Sequence, residues 1–192
     1  MFTDRRSILA GAAVLAAAPV AAAVAQTRPQ AGRDAAAMPM PDVSGVRTAK
    51  QFAMGVIGPA ELSLATSQIA MERATNAMAK EFAGFELAEA IAVTTVLKDL
   101  GTAVPPMDAK AGATLERIKA ARDGAAFDRA YITAQVENHE FLRDLATAYL
   151  RNSAGSTGDM AEKHGRHLAT LALATFTEHV ALTRRISVGL GA

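Results

Sequence analysis

From residue 48 onward, apolar residues recur at the helical period in four long segments, roughly 48–75, 77–100, 126–151 and 159–188. These segments are rich in Ala, Leu, Glu, Lys and Met, and few stretches are β-branched and alternating. The spacing therefore predicts an all-α domain. Asn76 breaks the first two segments apart, Gly101 stands where a helix C-cap belongs, and Ser153 to Gly158 reads as a loop. The connection between the second and third segments is much longer than a hairpin. Pro105-Pro106 stops any helix there, and Leu115 and Ile118 then predict a short extra helix ended by Gly124. A link of that length permits a crossover, with the second and third long helices parallel. The expected fold is a four-helix bundle of the ferritin-like kind rather than a simple up-down bundle.

The N-terminus reads as an export signal. A charged start, Thr3-Asp-Arg-Arg-Ser-Ile-Leu9, precedes an Ala/Val/Leu run that ends in the small-residue site Ala23-Val24-Ala25. Gly11 and Pro19 interrupt the run, which is short for a membrane span. Arg5-Arg6 points to twin-arginine export, while Asp4 and Ala10 depart from that pattern and leave the ordinary secretory route open. Residues 1–25 are thus expected to be cleaved, 26–47 to form a Pro-, Ala- and Gly-rich disordered leader, and 48–190 to form the bundle. The expected address is periplasmic or otherwise exported.

Cleavage after Ala25 lowers Lys plus Arg from 20 to 18 and Asp plus Glu from 19 to 18, so the mature chain is formally neutral. Nucleic-acid binding then has no electrostatic support. The chain has no cysteine, which excludes disulfides, thiolate metal sites, thiol catalysis and a lipidated cysteine anchor. Nothing in the mature sequence reads as a transmembrane strand or spanning helix.

Polar residues interrupt the apolar stripes. Phe82, Glu86, Glu89 and Val93 share one face, and neither acid has a Lys or Arg three or four residues away. A buried unpaired carboxylate costs several kcal/mol, so a cation, a base from another helix, protonation or local wetting must compensate. Glu61 lies between Ile57 and Leu64; Gly58-Pro59 before it would make it a first-turn acid favoured by the dipole if the helix restarts there. The third long segment reads Tyr131, Gln135, His139, Leu142, Ala146, Tyr149, and the fourth Leu168, Leu171, Ala172, Thr175, His179, Leu182, Ile186. His139 and His179 read either as hydrogen-bonded core residues or as ligands. His164 and His167, beside Gly165-Arg166, read as a frayed surface turn.

Glu61, Glu89 and His139 fall near the middles of their segments and share a level, whereas His179 lies about five residues, roughly 8 Å, past the middle of its own. It needs a shifted helix to join them. A di-iron carboxylate bundle draws Glu-x-x-His pairs from two helices, and the fourth segment has none, because Glu178 and His179 are adjacent. What remains is a mononuclear or degenerate site with oxygen and imidazole ligands. Its candidates are Glu86, Glu89, His139, Glu61 and His179, holding a divalent Fe, Mn or Zn ion.

Phe82-Ala-Gly-Phe-Glu-Leu-Ala-Glu89 with Val96-Leu-Lys98, Phe127-Asp-Arg-Ala-Tyr131 with Gln135 and His139, and Glu178-His179-Val-Ala-Leu182 together resemble a bacterial domain-of-unknown-function family (4142) over roughly residues 50–188. The resemblance implies an exported ferritin-like helical bundle, often labelled an outer membrane protein, with no established activity. Many relatives carry an Asp-His pair where Glu89 and Ala90 stand here, so any inherited metal site would lack one imidazole.

The chain thus reads as an exported bundle whose interior site is weak or vestigial. One alternative is a periplasmic metal-binding protein acting in envelope or oxidative stress. The other is a metal-free structural or interaction bundle whose interior acids are solvated or bonded to Gln135, Asn138 and Tyr131. A homo-oligomer fits either. No nucleophile–base–orienter set is visible, which argues against a hydrolase.

Overall fold

The computed structural model describes residues 42–155 and 159–191. It is all-helical: five helices and, among the described residues, no strand. They are α1 (Ala49–Arg73), α2 (Ala77–Asp99), α3 (Ala109–Ala120), α4 (Ala125–Asn152) and α5 (Met160–Gly189). The short α3 is the extra helix expected in the long link. No helix among the described residues is long and apolar enough to cross a membrane. The export signal, its cleavage site and most of the expected leader lie outside the described residues.

Each helix begins where its sequence supplies a cap. Thr48 and Gln51 form a capping box at α1, Asn76 accepts from the Met78 and Ala79 amides at α2, and Asp108 accepts from Ala111 at α3. Gly124 enters α4 at φ 83°, a backbone conformation that a β-carbon disfavours. The last residues of the expected leader are anchored. Val43 and Val46 pack against the core, and Asn152 Nδ2 donates to the Ser44 and Val46 carbonyls at 2.7 and 3.0 Å.

Contacts between named residues give the helix directions. Phe52 of α1 stacks on Tyr149 near the end of α4, and Ser67 bonds Tyr131 near its start, so α1 and α4 are antiparallel. Asn76 and Asp128 bring the starts of α2 and α4 together, so these two run parallel, as the long link permits. Arg166 of α5 donates to the Leu150 carbonyl at the end of α4, and Arg129 donates to Leu190 at the other end, so α4 and α5 are antiparallel. The intimate pairs are α1 with α2 and α4 with α5, whereas α2 and α5 barely touch.

Three local readings change in the folded chain. The helix does not restart at Pro59; α1 runs through it, so Glu61 is a mid-helix residue rather than a first-turn acid. The buried face of α5 is Ala169, Phe176, Val180, Thr183 and Ile186, turned toward α4, while Leu168 and Leu171 are exposed. Gly165 is no frayed turn either. A β-carbon there would stand 2.4 Å from Ala49 Cβ and 3.3 Å from Ala49 Cα, so its absence lets α5 approach the start of α1. The stripe expected on α4 holds at every position.

The apolar core falls into two halves. One gathers Phe52, Val56, Ile57, Leu142, Leu145, Tyr149 and Phe176; the other gathers Phe82, Phe127, Tyr131, Ile132 and Ile186. Between them, at the level of residues 63–67 of α1 and 135–139 of α4, the interior is polar: Ser63, Thr66, Ser67, Glu86, Gln135 and His139 are all buried.

Candidate metal centre

Two sets of contacts organise this polar belt. On one side, α4 satisfies the hydroxyls of α1. Ser63 Oγ donates to Gln135 Oε1 at 3.1 Å, Gln135 Nε2 donates to Thr66 Oγ1 at 3.1 Å, and Ser67 Oγ bonds Tyr131 Oη at 2.9 Å. Asn138 Nδ2 reaches Ser63 Oγ at 2.9 Å and the Pro59 carbonyl at 3.3 Å. The polar partners on α4 that the sequence offered to the interior acids are therefore engaged with α1. Burial raises the Tyr131 hydroxyl pKa above its ordinary value, so Tyr131 enters this network as the neutral phenol.

On the other side, three helices converge on one point. Glu86 Oε2 of α2 lies 3.1 Å from His139 Nε2 of α4 and 3.2 Å from His179 Nδ1 of α5, and the two imidazole nitrogens are 3.1 Å apart. The three atoms form a nearly equilateral triangle. A first-row ion bound at about 2.1 Å sets its donors about 3.0 Å apart at right angles and about 3.4 Å apart at tetrahedral angles. The triangle falls between these values, so an ion about 1 Å off its plane would meet all three donors with little rearrangement. Glu86 Oε2 is buried and lacks a well-directed hydrogen bond, although two nitrogens stand close to it. A buried acceptor without such a bond calls for an explanation, and a bound ion is one.

Further contacts hold the imidazoles. His139 Nδ1 lies 2.8 Å from the Gln135 carbonyl oxygen. That carbonyl only accepts, so Nδ1 carries the proton and Nε2 presents its lone pair in the neutral ring. Phe82 meets both imidazoles edge-on, and Phe176 meets His139. Burial pushes the Glu86 carboxyl up, but the close contacts with His139 and His179 outweigh it and hold the group well below the usual range. For His139, burial favours the neutral ring, yet the Glu86 carboxylate reverses this and raises the imidazole. The nearby carboxylate thus favours the protonated form of the His139 ring.

Of the five residues proposed from sequence, the fold brings Glu86, His139 and His179 together. Glu89 stands beside them, its Oε2 3.5 Å from His179 Nδ1, and burial raises its carboxyl pKa. Glu61 is elsewhere: it pairs with Lys98 of α2. The height argument that set His179 apart fails because α5 overshoots α4. Arg166, six residues into α5, already lies at the end of α4, bonded to Leu150. Thirteen residues back from Asn152 along α4 is His139, and thirteen forward from Arg166 along α5 is His179. His164 and His167 are exposed near the start of α5.

The sequence reading missed Ser63, Thr66 and Ser67, although hydroxyls at three- and four-residue spacing on an apolar helix face were a visible signal. It also missed the role of Asp128. This buried carboxylate accepts from Thr75 N, Thr75 Oγ1 and Asn76 N at 3.0, 2.7 and 2.9 Å and closes the α1–α2 turn. The Phe-Asp-x-x-Tyr element is thus a structural clamp that ends about two helical turns before His139. The family model of a domain of unknown function (DUF4142) matches residues 29–185. The chain belongs to this family. The DUF4142 match takes in every helix that contributes to the site, and it begins ahead of α1, consistent with the anchored residues before Thr48. No curated protein and no solved structure matches the chain.

Proposed function

We propose that this protein binds one first-row divalent ion through Glu86, His139 and His179 in the middle of a ferritin-like bundle. The observation that carries the reading is the triangle of 3.1–3.2 Å between three donors from three different helices. Two imidazoles and one carboxylate suit Fe(II), Mn(II) or Zn(II). Three protein donors leave coordination positions open, the arrangement of a reactive centre rather than a closed structural one. The parallel α2 and α4, joined by a long link, support the ferritin-like arrangement. The export signal read in residues 1–25 supports a periplasmic address, and a twin-arginine route would carry the folded, metal-loaded protein.

Metal analysis of protein purified from the periplasm tests the reading. The expected result is one iron, manganese or zinc per chain, lost in a Glu86→Gln/His139→Ala variant. Protein that is metal-free and takes up no ion in titration would overturn it. That outcome would leave a second reading, supported by the close contact of His139 with the Glu86 carboxylate: a metal-free polar cross-link tying three helices of a structural bundle.

A further inference from the structure

The link between α2 and α4 is not packed down along its whole length. Pro105 and Pro106 remove main-chain donors and keep that stretch out of a helix, and none of residues 101–113 is buried. The segment is fastened at two points. The Pro105 ring lies on α1, 3.7 Å from where a β-carbon on Gly58 would stand. At the far end Ile118 is fully buried, and the Arg73 guanidinium donates to the Lys119 and Ala121 carbonyls at 3.0 and 2.6 Å. Between these points the segment leaves a cavity of about 400 Å³ against α1 and α4. It opens to solvent beside the link, where Val104 and Met107 are exposed. None of Glu86, His139 and His179 borders it, so it is separate from the metal centre.

The walls of this cavity decide what fits. Its size lies in the range of small-molecule sites, roughly 300–1,000 Å³. Leu62 and Ala65 of α1, Ala134 and Phe141 of α4 and the two link prolines make it mainly apolar. The carboxylates of Glu61, Asp108 and Glu137 outnumber the ammonium of Lys110 around it, which disfavours an anion. Glu61 is already paired with Lys98, the Asp108 side chain caps α3 and Glu137 is exposed to water, so a cation gains little there. Thr114 supplies the polar contact. It lines the cavity, is only 8 % exposed, and its hydroxyl has no hydrogen-bond partner among the described residues. A buried hydroxyl in that position is satisfied by what fills the space. We propose that this cavity binds a neutral, mainly apolar small molecule that bears one hydrogen-bonding group, with Thr114 as its polar partner.

Fluorescence titration gives the test. The mature protein is titrated with N-phenyl-1-naphthylamine, a neutral aromatic with one N–H group whose emission rises in apolar surroundings. One saturable site per chain is expected. Three competitors on the same naphthalene ring then separate the charges. Neutral 1-naphthol should displace the probe at concentrations at least about tenfold lower than the 1-naphthoate anion or the 1-naphthylmethylammonium cation. Filling the cavity with Ala65→Phe or Ala111→Phe should weaken probe binding at least about tenfold. Thr114→Val, which keeps the shape and loses the hydroxyl, should weaken it at least about threefold. The helical circular dichroism of all three variants should match that of the parent. Leu171→Gln, on the exposed face of α5, should leave binding unchanged. The absence of saturable binding, equal displacement by a charged competitor, full binding by both filled variants, or loss of binding in Leu171→Gln would each overturn the proposal.

Discussion

His139 Nδ1 stands 2.8 Å from the main-chain carbonyl of Gln135, one turn earlier on the same helix. The backbone, not a replaceable side chain, thus fixes which nitrogen faces Glu86. Gln135→Ala should therefore leave affinity for Zn(II) within about threefold, while its lost bonds to Ser63 and Thr66 should lower stability by roughly 1–3 kcal/mol. Glu86→Gln, His139→Ala and His179→Ala should each weaken Zn(II) binding by at least about 100-fold. Glu61→Gln, which breaks only the pair with Lys98, should change it by less than about threefold. Isothermal titration of the purified variants distinguishes these outcomes.

The Glu86–His139 pair should shape the pH dependence of the metal-free protein. Glu86 titrates below its ordinary 4.5, so its contribution is fully present above that value and is lost as pH falls through the depressed one. His139 titrates above its ordinary 6.5, so its contribution is fully present below 6.5 and is lost as pH rises through the raised one. Between roughly pH 4.5 and 6.5 both are intact. Glu89, raised by burial, would tilt that window downward with rising pH, so urea denaturation across pH 4–9 should show a plateau there in a Glu89→Gln background and a decline on the alkaline side, which His139→Gln should flatten. Metal binding should respond oppositely. The ion competes with the proton on His139, so affinity should climb with pH and binding should release up to about one proton, measurable by titration in buffers of different ionisation enthalpy.

Asp128 tests the structural half of the family motif. It is 1 % exposed and receives three donors from the α1–α2 turn. Asp128→Ala should destabilise the protein by about 3 kcal/mol, and Thr75→Val, which removes one donor of the three, by about 1 kcal/mol. Neither should alter metal stoichiometry in the fraction that remains folded. A near-neutral Asp128→Ala in chemical denaturation would contradict the clamp.

Gly165 offers a two-residue test of the helix approach. Gly165→Ala drives a methyl group against Ala49 and should cost about 1–3 kcal/mol. Ala49→Gly in the same chain removes the nearest atom, so the double variant should recover part of the loss. Additive effects in the cycle would mean the two helices do not touch there in solution.

How far the sequence could be read follows from which interactions are local. Helical period and caps depend on neighbours along the chain, and the five helices and the α4 stripe were legible from them. The absence of a basic residue near Glu86 in sequence was also informative, since it left a cation, a base from another helix, protonation or local wetting as the ways to stabilise that acid. Partners that come from distant helices were not legible. Lys98 reaches Glu61 from α2, and Asp128 reaches Thr75 across the turn, with no spacing to announce either. The registry of α5 escaped for the same reason: its overhang past α4 is set by the Gly165–Ala49 approach and the Arg166 contact, not by its own periodicity. The exposure of Leu168 and Leu171 reflects which neighbour α5 embraces, a property of the assembly of helices.

The division of the interior into two greasy halves has a mechanical consequence. Each long helix is gripped twice, near its ends, and the stretch between the grips is free to carry charge. A change of occupant at the waist would move side chains there while both grips keep hold. Phe82 and Phe176, one from each half, close on the imidazoles, so each grip also forms a wall of the waist.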